Sequence, residues 1–403
     1  MLAAVVSIPY LLNHLGNGGF GVLALIWALI GYFSLFDMGI GRALTYQVGM
    51  LLAAGNRWET SSVVRTGLLL SAATGALGAG VMYLISPTLV GQWIGVDSAL
   101  KPDSILAFRT TAIGVMLVTV SSAMRGALEG YGRFASSNLN KMASGLFTFV
   151  LPVVSVALHG SSLRAISTYL VVARLVTTIG MLIQLRGDLL SKAFKLSGAH
   201  FRGLLGYGTW VTVSGIIGPL MVYGDRFFVS ATIGTSQLPY YAIPQEGLQR
   251  LLVIPAALCS ALLPALSGLR KADAFNLFQI NLRRITKYAL LVCAIAALLS
   301  YPVLYFLFSR EFAQIATPIA LILCIGILLN SVAFVPYTFL HSQGLPRLTA
   351  FMHGFELIFY IGILWLLTRQ FGLIGAAAAW VARVGLDLLL LSIAVNWLRK
   401  REE

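Results

Sequence analysis

Charge is what this sequence has least of. Lys, Arg, Asp and Glu make up 10% of its 403 residues, and apolar residues reach 58%. A soluble domain carries about 25% and about 45–50%. So little charge excludes both a water-soluble globular enzyme and a solvated disordered chain. Cysteine is scarce too: Cys259, Cys293 and Cys324 each fall inside an apolar stretch, which reads as buried small hydrophobes rather than disulfides or ligands. The five histidines are scattered, and no His/Cys group has metal-ligand spacing, so neither a metal nor a cofactor is expected. Long polar loops are missing as well. None exceeds about 20 residues, which leaves no room for a soluble catalytic domain and speaks against an enzyme.

What is present instead is a series of uncharged apolar runs, from 17 residues (Phe20–Phe36) to 35 (Phe312–Pro346). A helix crosses about 30 Å of hydrocarbon with about 20 residues. The fold class implied is all-α: a polytopic membrane protein of about twelve transmembrane helices in two six-helix bundles, its first helix incomplete. The segments run 1–13, 19–53, 62–86 (closed by Pro87), 104–126, 140–159, 164–185, 204–233, 238–267, 286–308, 312–341, 347–368 and 371–398. A polar, basic joint at 186–202 separates an N-terminal bundle, 1–185, from a C-terminal one, 203–403. Segment 1–13 is too short to span and lacks the basic start and cleavage site of a signal peptide. It reads as a helix without its cytoplasmic half, so the frame upstream of Met1 should encode roughly ten or more further apolar residues.

The net charge of +14 is not a nucleic-acid footprint, because cytoplasmic loops of membrane proteins are enriched in Lys and Arg. With the joint and both termini inside, nineteen Lys and Arg fall on the cytoplasmic side and five (Lys101, Arg109, Arg164, Arg310, Arg369) on or near the outer side. The opposite orientation inverts the ratio.

Four bases and four acids remain within the spans: Arg174, Arg226, Arg250 and Arg383, with Asp225, Glu246, Glu356 and Asp387. Counted from the outer hairpins, most lie about ten to a dozen residues in. At about 1.5 Å per residue that is near the midplane. Ionisable groups at that depth face a bundle interior or an aqueous cavity, since facing lipid costs several kcal/mol. Two readings stand side by side. The groups line a cavity, or Glu246–Arg250 and Arg383–Asp387 neutralise themselves as i, i+4 pairs on one helix. Segment 204–233 is interrupted by Gly215, Gly218 and Pro219, and Pro9 holds the corresponding place in the first half. Broken helices in matching positions mark transporters that rock one bundle against another.

One stretch stands out, Gly31 to Val48, GYFSLFDMGIGRALTYQV. It ends a charge-free run with Asp37 and Arg42, separated by Gly39 and Gly41. Together with the preceding Ile8-Pro9-Tyr10, Leu15-Gly16 and Phe20-Gly21, it resembles the Wzx-type polysaccharide flippases of the multidrug/oligosaccharidyl-lipid/polysaccharide exporter superfamily. A capping or packing role is the plainer reading of the same residues. The resemblance implies a bacterial inner-membrane protein that moves a polyprenyl-pyrophosphate-linked oligosaccharide outward by alternating access for surface polysaccharide synthesis. It further implies a cationic cavity, for which Arg174, Arg226, Arg250 and Arg383 are the candidate phosphate receivers. Asp225, Glu246 and Glu356 are then candidates to carry a coupling H+ or Na+. Expected partners are the lipid-linked oligosaccharide, membrane lipids and polysaccharide assembly proteins, with no nucleic acid. The alternatives are a cation-coupled multidrug exporter of the same superfamily, a fourteen-helix lipid II flippase, and a membrane polysaccharide polymerase. The last should show a large outer loop.

The charge asymmetry yields a direct test. Reporter fusions or cysteine labelling should report cytoplasm at Gly198 and Glu403 and the outer side at Asp97 and Ser236; an outer location of the 186–202 joint overturns the topology.

Overall fold

The computed structural model describes residues 2–33, 39–189, 220–267 and 271–400. The described chain is helical between short turns, as an apolar chain must be in lipid, where every backbone N–H and C=O has to find its partner within the chain. The elements are α1 (Leu2–Phe33), α2 (Ile40–Ala53), α3 (Arg57–Thr88), α4 (Lys101–Gly130), α5 (Phe134–His159) and α6 (Leu163–Leu189). They continue as α7 (220–233), α8 (Leu238–Gln249), α9 (Val253–Ser267), α10 (Lys271–Leu307), α11 (Arg310–Ser342) and α12 (Pro346–Lys400). Among the described residues nine helices are long and apolar enough to cross a membrane. Two of them hold more than one expected segment: α1 breaks at Gly16 (φ 67°) and α12 at Gly372 (φ 60°), left-handed conformations that glycine adopts without a Cβ penalty. The chain is a polytopic all-α membrane protein.

Burial supports the same conclusion. Large apolar side chains point outward, with Leu298 79% and Phe306 87% exposed on α10, while serine and threonine are turned in. Ser71, Ser86, Thr111, Thr119, Ser155 and Ser167 are buried. A water-soluble protein shows the reverse. In lipid, small polar residues allow close helix contact and hydrogen-bond the backbone, as Thr119 Oγ1 of α4 does to the Ser71 carbonyl of α3 at 3.2 Å.

Contacts group the chain into two units, Met1–Ser236 and Gln237–Glu403. In the first, α4 is the central element, packing on α1, α2, α3, α5 and α6. Its crossing with α2 is made by glycine: a Cβ on Gly126 would collide with the Gly41 carbonyl. Thr45 Oγ1 fastens the crossing, 3.0 Å from the Gly126 carbonyl and 3.1 Å from that of Gly41. At one end, Asp103 of α4 caps α6, accepting the Leu163 N–H at 2.6 Å and the Arg164 N–H at 3.3 Å. A carboxylate suits that place because the first N–H groups of a helix have no partner of their own. At the other end, Arg133 reaches from the α4–α5 turn to the Gln184 carbonyl (2.9 Å) and Asp188 (3.4 Å) of α6. In the second unit, α11 packs on α8, α9, α10 and α12. Gly326 makes room there for the buried Trp380 ring.

Three turns meet within the first unit. The Gly95 N–H donates to the Ser230 carbonyl (3.1 Å), and the Gly95 carbonyl accepts from the Thr235 N–H (2.8 Å) and Oγ1 (3.2 Å). A Cβ on Gly21 would strike the Thr235 carbonyl. The α1, α3–α4 and α7–α8 turns, all expected on the outer face, are thus clasped backbone to backbone.

The structure corrects several boundaries. Segment 19–53 is not one helix: α1 ends at Phe33 and α2 starts at Ile40 behind Gly39, whose φ of 65° is not helical. Pro87 does not close α3, which runs to Thr88 and continues as a π turn, Leu89–Trp93; the wider turn accommodates a proline near the helix end. Segment 238–267 is split by a 3₁₀ turn, Arg250–Leu252, where Pro255 denies the Leu251 carbonyl its helical donor. Most of the 186–202 joint, and the interruption at Gly215, Gly218 and Pro219, lie outside the described residues.

A bulky residue at the α2–α4 crossing should be poorly tolerated. Thermal unfolding of purified protein should show Gly126→Val destabilised by about 1–3 kcal/mol. Gly145→Val, on an α5 face with open space around its Cβ position, should unfold like the parent.

Candidate functional site

The charges inside the spans fall in both units. In the first unit, Asp225 and Arg226 are both buried on α7. The Arg226 guanidinium lies 5.6 Å from the Tyr223 ring centroid, in the range of a cation–π contact. Arg174 of α6 reaches across to α5, donating to Ser144 Oγ and approaching Thr148 Oγ1 at 3.4 Å. Hydroxyls satisfy donors without cancelling charge, so these contacts leave Arg174 cationic.

In the second unit, Glu246 and Arg250 pair on consecutive turns of α8 and its 3₁₀ extension, both partly exposed. The i, i+4 spacing alone accounts for this pair. The other set is built by the reversal at Gly372, which folds the two arms of α12 antiparallel. Glu356 on the first arm and Arg383 on the second meet at 2.8 Å, with side chains 1% and 9% exposed. Arg383 also lies 5.7 Å from the Tyr360 ring centroid. Arg383 thus bonds across the hairpin, while its charge also acts on Asp387 one turn along its own arm. Asp387 faces His353 of the first arm, Oδ1 to Nε2 at 3.8 Å. The Tyr337 ring of α11 stacks on both His353 (5.8 Å between centroids) and His341 (4.1 Å). Composition gave no sign of a His–carboxylate cluster, because His353, Glu356 and Asp387 come together only through the hairpin. Their ligand-capable atoms lie within 4.8 Å of one another, the one such group among the described residues. The guanidinium bonded to Glu356 puts a fixed positive charge beside it, which disfavours a divalent ion.

Of the signature residues, Asp37 lies outside the described residues. Gly39 supplies the left-handed turn before α2, Gly41 the close approach to α4, and Arg42 is exposed. The two glycines thus have backbone roles.

This is the architecture of a polytopic helical membrane protein, and solved structures share it. The model superposes with a TM-score of 0.84 on an inward-facing multidrug resistance MATE family transporter of the MOP superfamily, at 15% identity over 99% of this chain and 94% of that one. A MOP superfamily transporter from Pyrococcus furiosus gives 0.70 at 15% identity over 99% and 95%. At that identity the likeness establishes the fold alone. In sequence, residues 1–270 match the family model described as polysaccharide biosynthesis protein. A Shigella flexneri protein named "Putative O-antigen transporter" is 31% identical over 409 aligned positions, 99% of this chain and 94% of that one. The chain belongs to the polysaccharide biosynthesis protein family.

The ion pair across the α12 hairpin is nearly fully buried, so breaking it should be costly. Glu356→Gln or Arg383→Gln alone should lower stability by about 3–5 kcal/mol, since each leaves an uncompensated buried charge. The double variant should recover most of the loss, read as folded protein per membrane and as melting temperature.

Proposed function

We propose that this protein is a flippase: it carries a polyprenyl-pyrophosphate-linked oligosaccharide from the cytoplasmic to the outer leaflet of a bacterial inner membrane, for surface polysaccharide synthesis. The observation that carries this reading is the near full-length relationship to a protein named as an O-antigen transporter, joined to arginines set inside apolar spans. The transport is non-enzymatic and proceeds by alternating access of an N-terminal bundle (1–185) and a C-terminal bundle (203–403), linked at a cytoplasmic joint (186–202), with both termini in the cytoplasm.

The pyrophosphate is received by arginine, whose planar fork matches phosphate oxygens two at a time. Arg174 and Arg226 suit this role best. Arg174 spends its donors on neutral hydroxyls that a phosphate can displace. Arg226 is buried, where a phosphate charge is felt strongly. Arg250 takes part by exchanging Glu246 for phosphate. Arg383 is held by Glu356 and serves the fold. Asp225 and Glu246 remain acids to carry a coupling H+ or Na+, whereas Glu356, tied to Arg383, is set aside. Assembly proteins for the polysaccharide receive the product.

Deleting the gene should cause one lipid-linked glycan to accumulate on the cytoplasmic side, and the wild-type chain should restore its export. Arg174→Gln and Arg226→Gln should each reduce export at least tenfold with normal folded protein, and Lys at either position should rescue only partly. Normal export by a well-folded Arg226→Gln, Arg250→Gln variant rules out that pair as the phosphate site.

A further inference from the structure

We propose that the α12 hairpin contains a proton-binding site, with Asp387 as the group that takes the proton and His353 as the residue that positions it. The inference rests on the transport reading only for the proton's use, not for its binding.

The argument begins with charge. The hairpin brings together two carboxylates, Glu356 and Asp387, and one guanidinium, Arg383. With His353 and His341 neutral, the group carries one surplus negative charge within an apolar span. Such a charge is expensive away from water, and a bound cation removes it.

Hydrogen bonding points the same way. Arg383 occupies Glu356 Oε1, but Glu356 Oε2 is buried and lacks a hydrogen-bond partner among the described residues, and so does Asp387 Oδ1. Two buried carboxylate oxygens of one cluster thus go without a hydrogen bond. One proton resolves both faults. A protonated Asp387 becomes a donor, and Glu356 is a neighbouring acceptor within one side-chain rotation, as the 4.8 Å limit on the group's ligand atoms allows. Glu356 itself is the poorer proton receiver, because losing its charge would strand Arg383.

The surroundings are those of a site rather than a solvated face. Tyr337 and His341 approach from α11, His341 being tied to Thr349 Oγ1 at 3.0 Å, and Tyr360 lies beside Arg383 on the hairpin itself. The stack on Tyr337 fixes the His353 ring, so its Nε2 stays directed at Asp387. A hairpin whose arms are joined by one permanent ion pair and one proton-dependent contact differs in internal charge between its two protonation states. Such a difference is what allows a proton to bias a two-state transporter.

Infrared spectroscopy of the purified full chain in lipid nanodiscs tests binding without any transport. Between about pH 8 and 5 the wild type should gain the carbonyl band of a buried carboxylic acid. The band should be missing in Asp387→Asn and retained in Asp387→Glu, and in His353→Gln the pH at which it appears should move. Asp387→Asn, an isostere of the protonated acid, should fold in wild-type amounts, unlike Glu356→Gln. In cells it should lose at least tenfold of its export. A wild type without the band at any pH, or a band unchanged by Asp387→Asn, overturns the site. So does a melting temperature that rises with NaCl but not with choline chloride, and only while Asp387 is present, since that assigns the cation as Na+. A band that behaves as expected while Asp387→Asn exports normally leaves the flippase reading intact and removes the proton from its cycle. Loss of glycan export by none of the arginine variants, with the band unchanged, would strike the flippase reading alone.

Discussion

A guanidinium or carboxylate inside hydrocarbon has no water to fall back on, and the arrangement of this protein follows from that constraint. Several of its buried charges have been brought to an opposite charge, a hydroxyl or an aromatic face. Glu356 meets Arg383, Arg174 meets Ser144 and Thr148, and Arg226 lies near Tyr223. The helices bend to make these meetings possible. The reversal at Gly372 is what turns two residues 27 apart in sequence into an ion pair.

The same constraint separates charges that serve the fold from charges left over for work. A pair such as Glu356–Arg383 closes on itself and is silent electrically. A cation held only by hydroxyls, such as Arg174, keeps its charge for an anionic ligand. Asp387, with an imidazole rather than a guanidinium against its Oδ1, is the carboxylate proposed to take a proton. On the proposed flippase reading, such a cation would hold a pyrophosphate and the carboxylate would give the cycle its direction.

Much of this was legible in the sequence. Charge-free runs defined the spans because the bilayer tolerates so few alternatives. Counting residues from the outer hairpins put Glu356 and Arg383 at one depth, and the structure joins them. The count worked because rise per residue is nearly constant in a helix. Where it failed, local rules competed with tertiary ones. The i, i+4 rule favoured Arg383–Asp387, but the hairpin offered Arg383 a better partner. The break before Ile40 was hidden, since Gly39 in an apolar run is as compatible with a helix as with a turn. His353 carried no signal at all, for its partners lie on another arm. Nor could any motif distinguish Gly41 as a ligand-site residue from Gly41 as the floor of a helix crossing; only the proximity of Gly126 does that.

The clasp of Gly95 with Ser230 and Thr235 has a consequence of its own. Its three hydrogen bonds, each worth about 0.5–1.5 kcal/mol net, involve the main chain on at least one side. A fastening of a few kcal/mol is firm enough to hold a closed arrangement most of the time and weak enough for thermal motion to undo. Because two of its bonds are between amides alone, deleting side chains leaves them standing. Only adding atoms, where Gly21 or Gly95 now leaves a gap, disturbs it. A contact built this way keeps most of its strength while the side chains around it change.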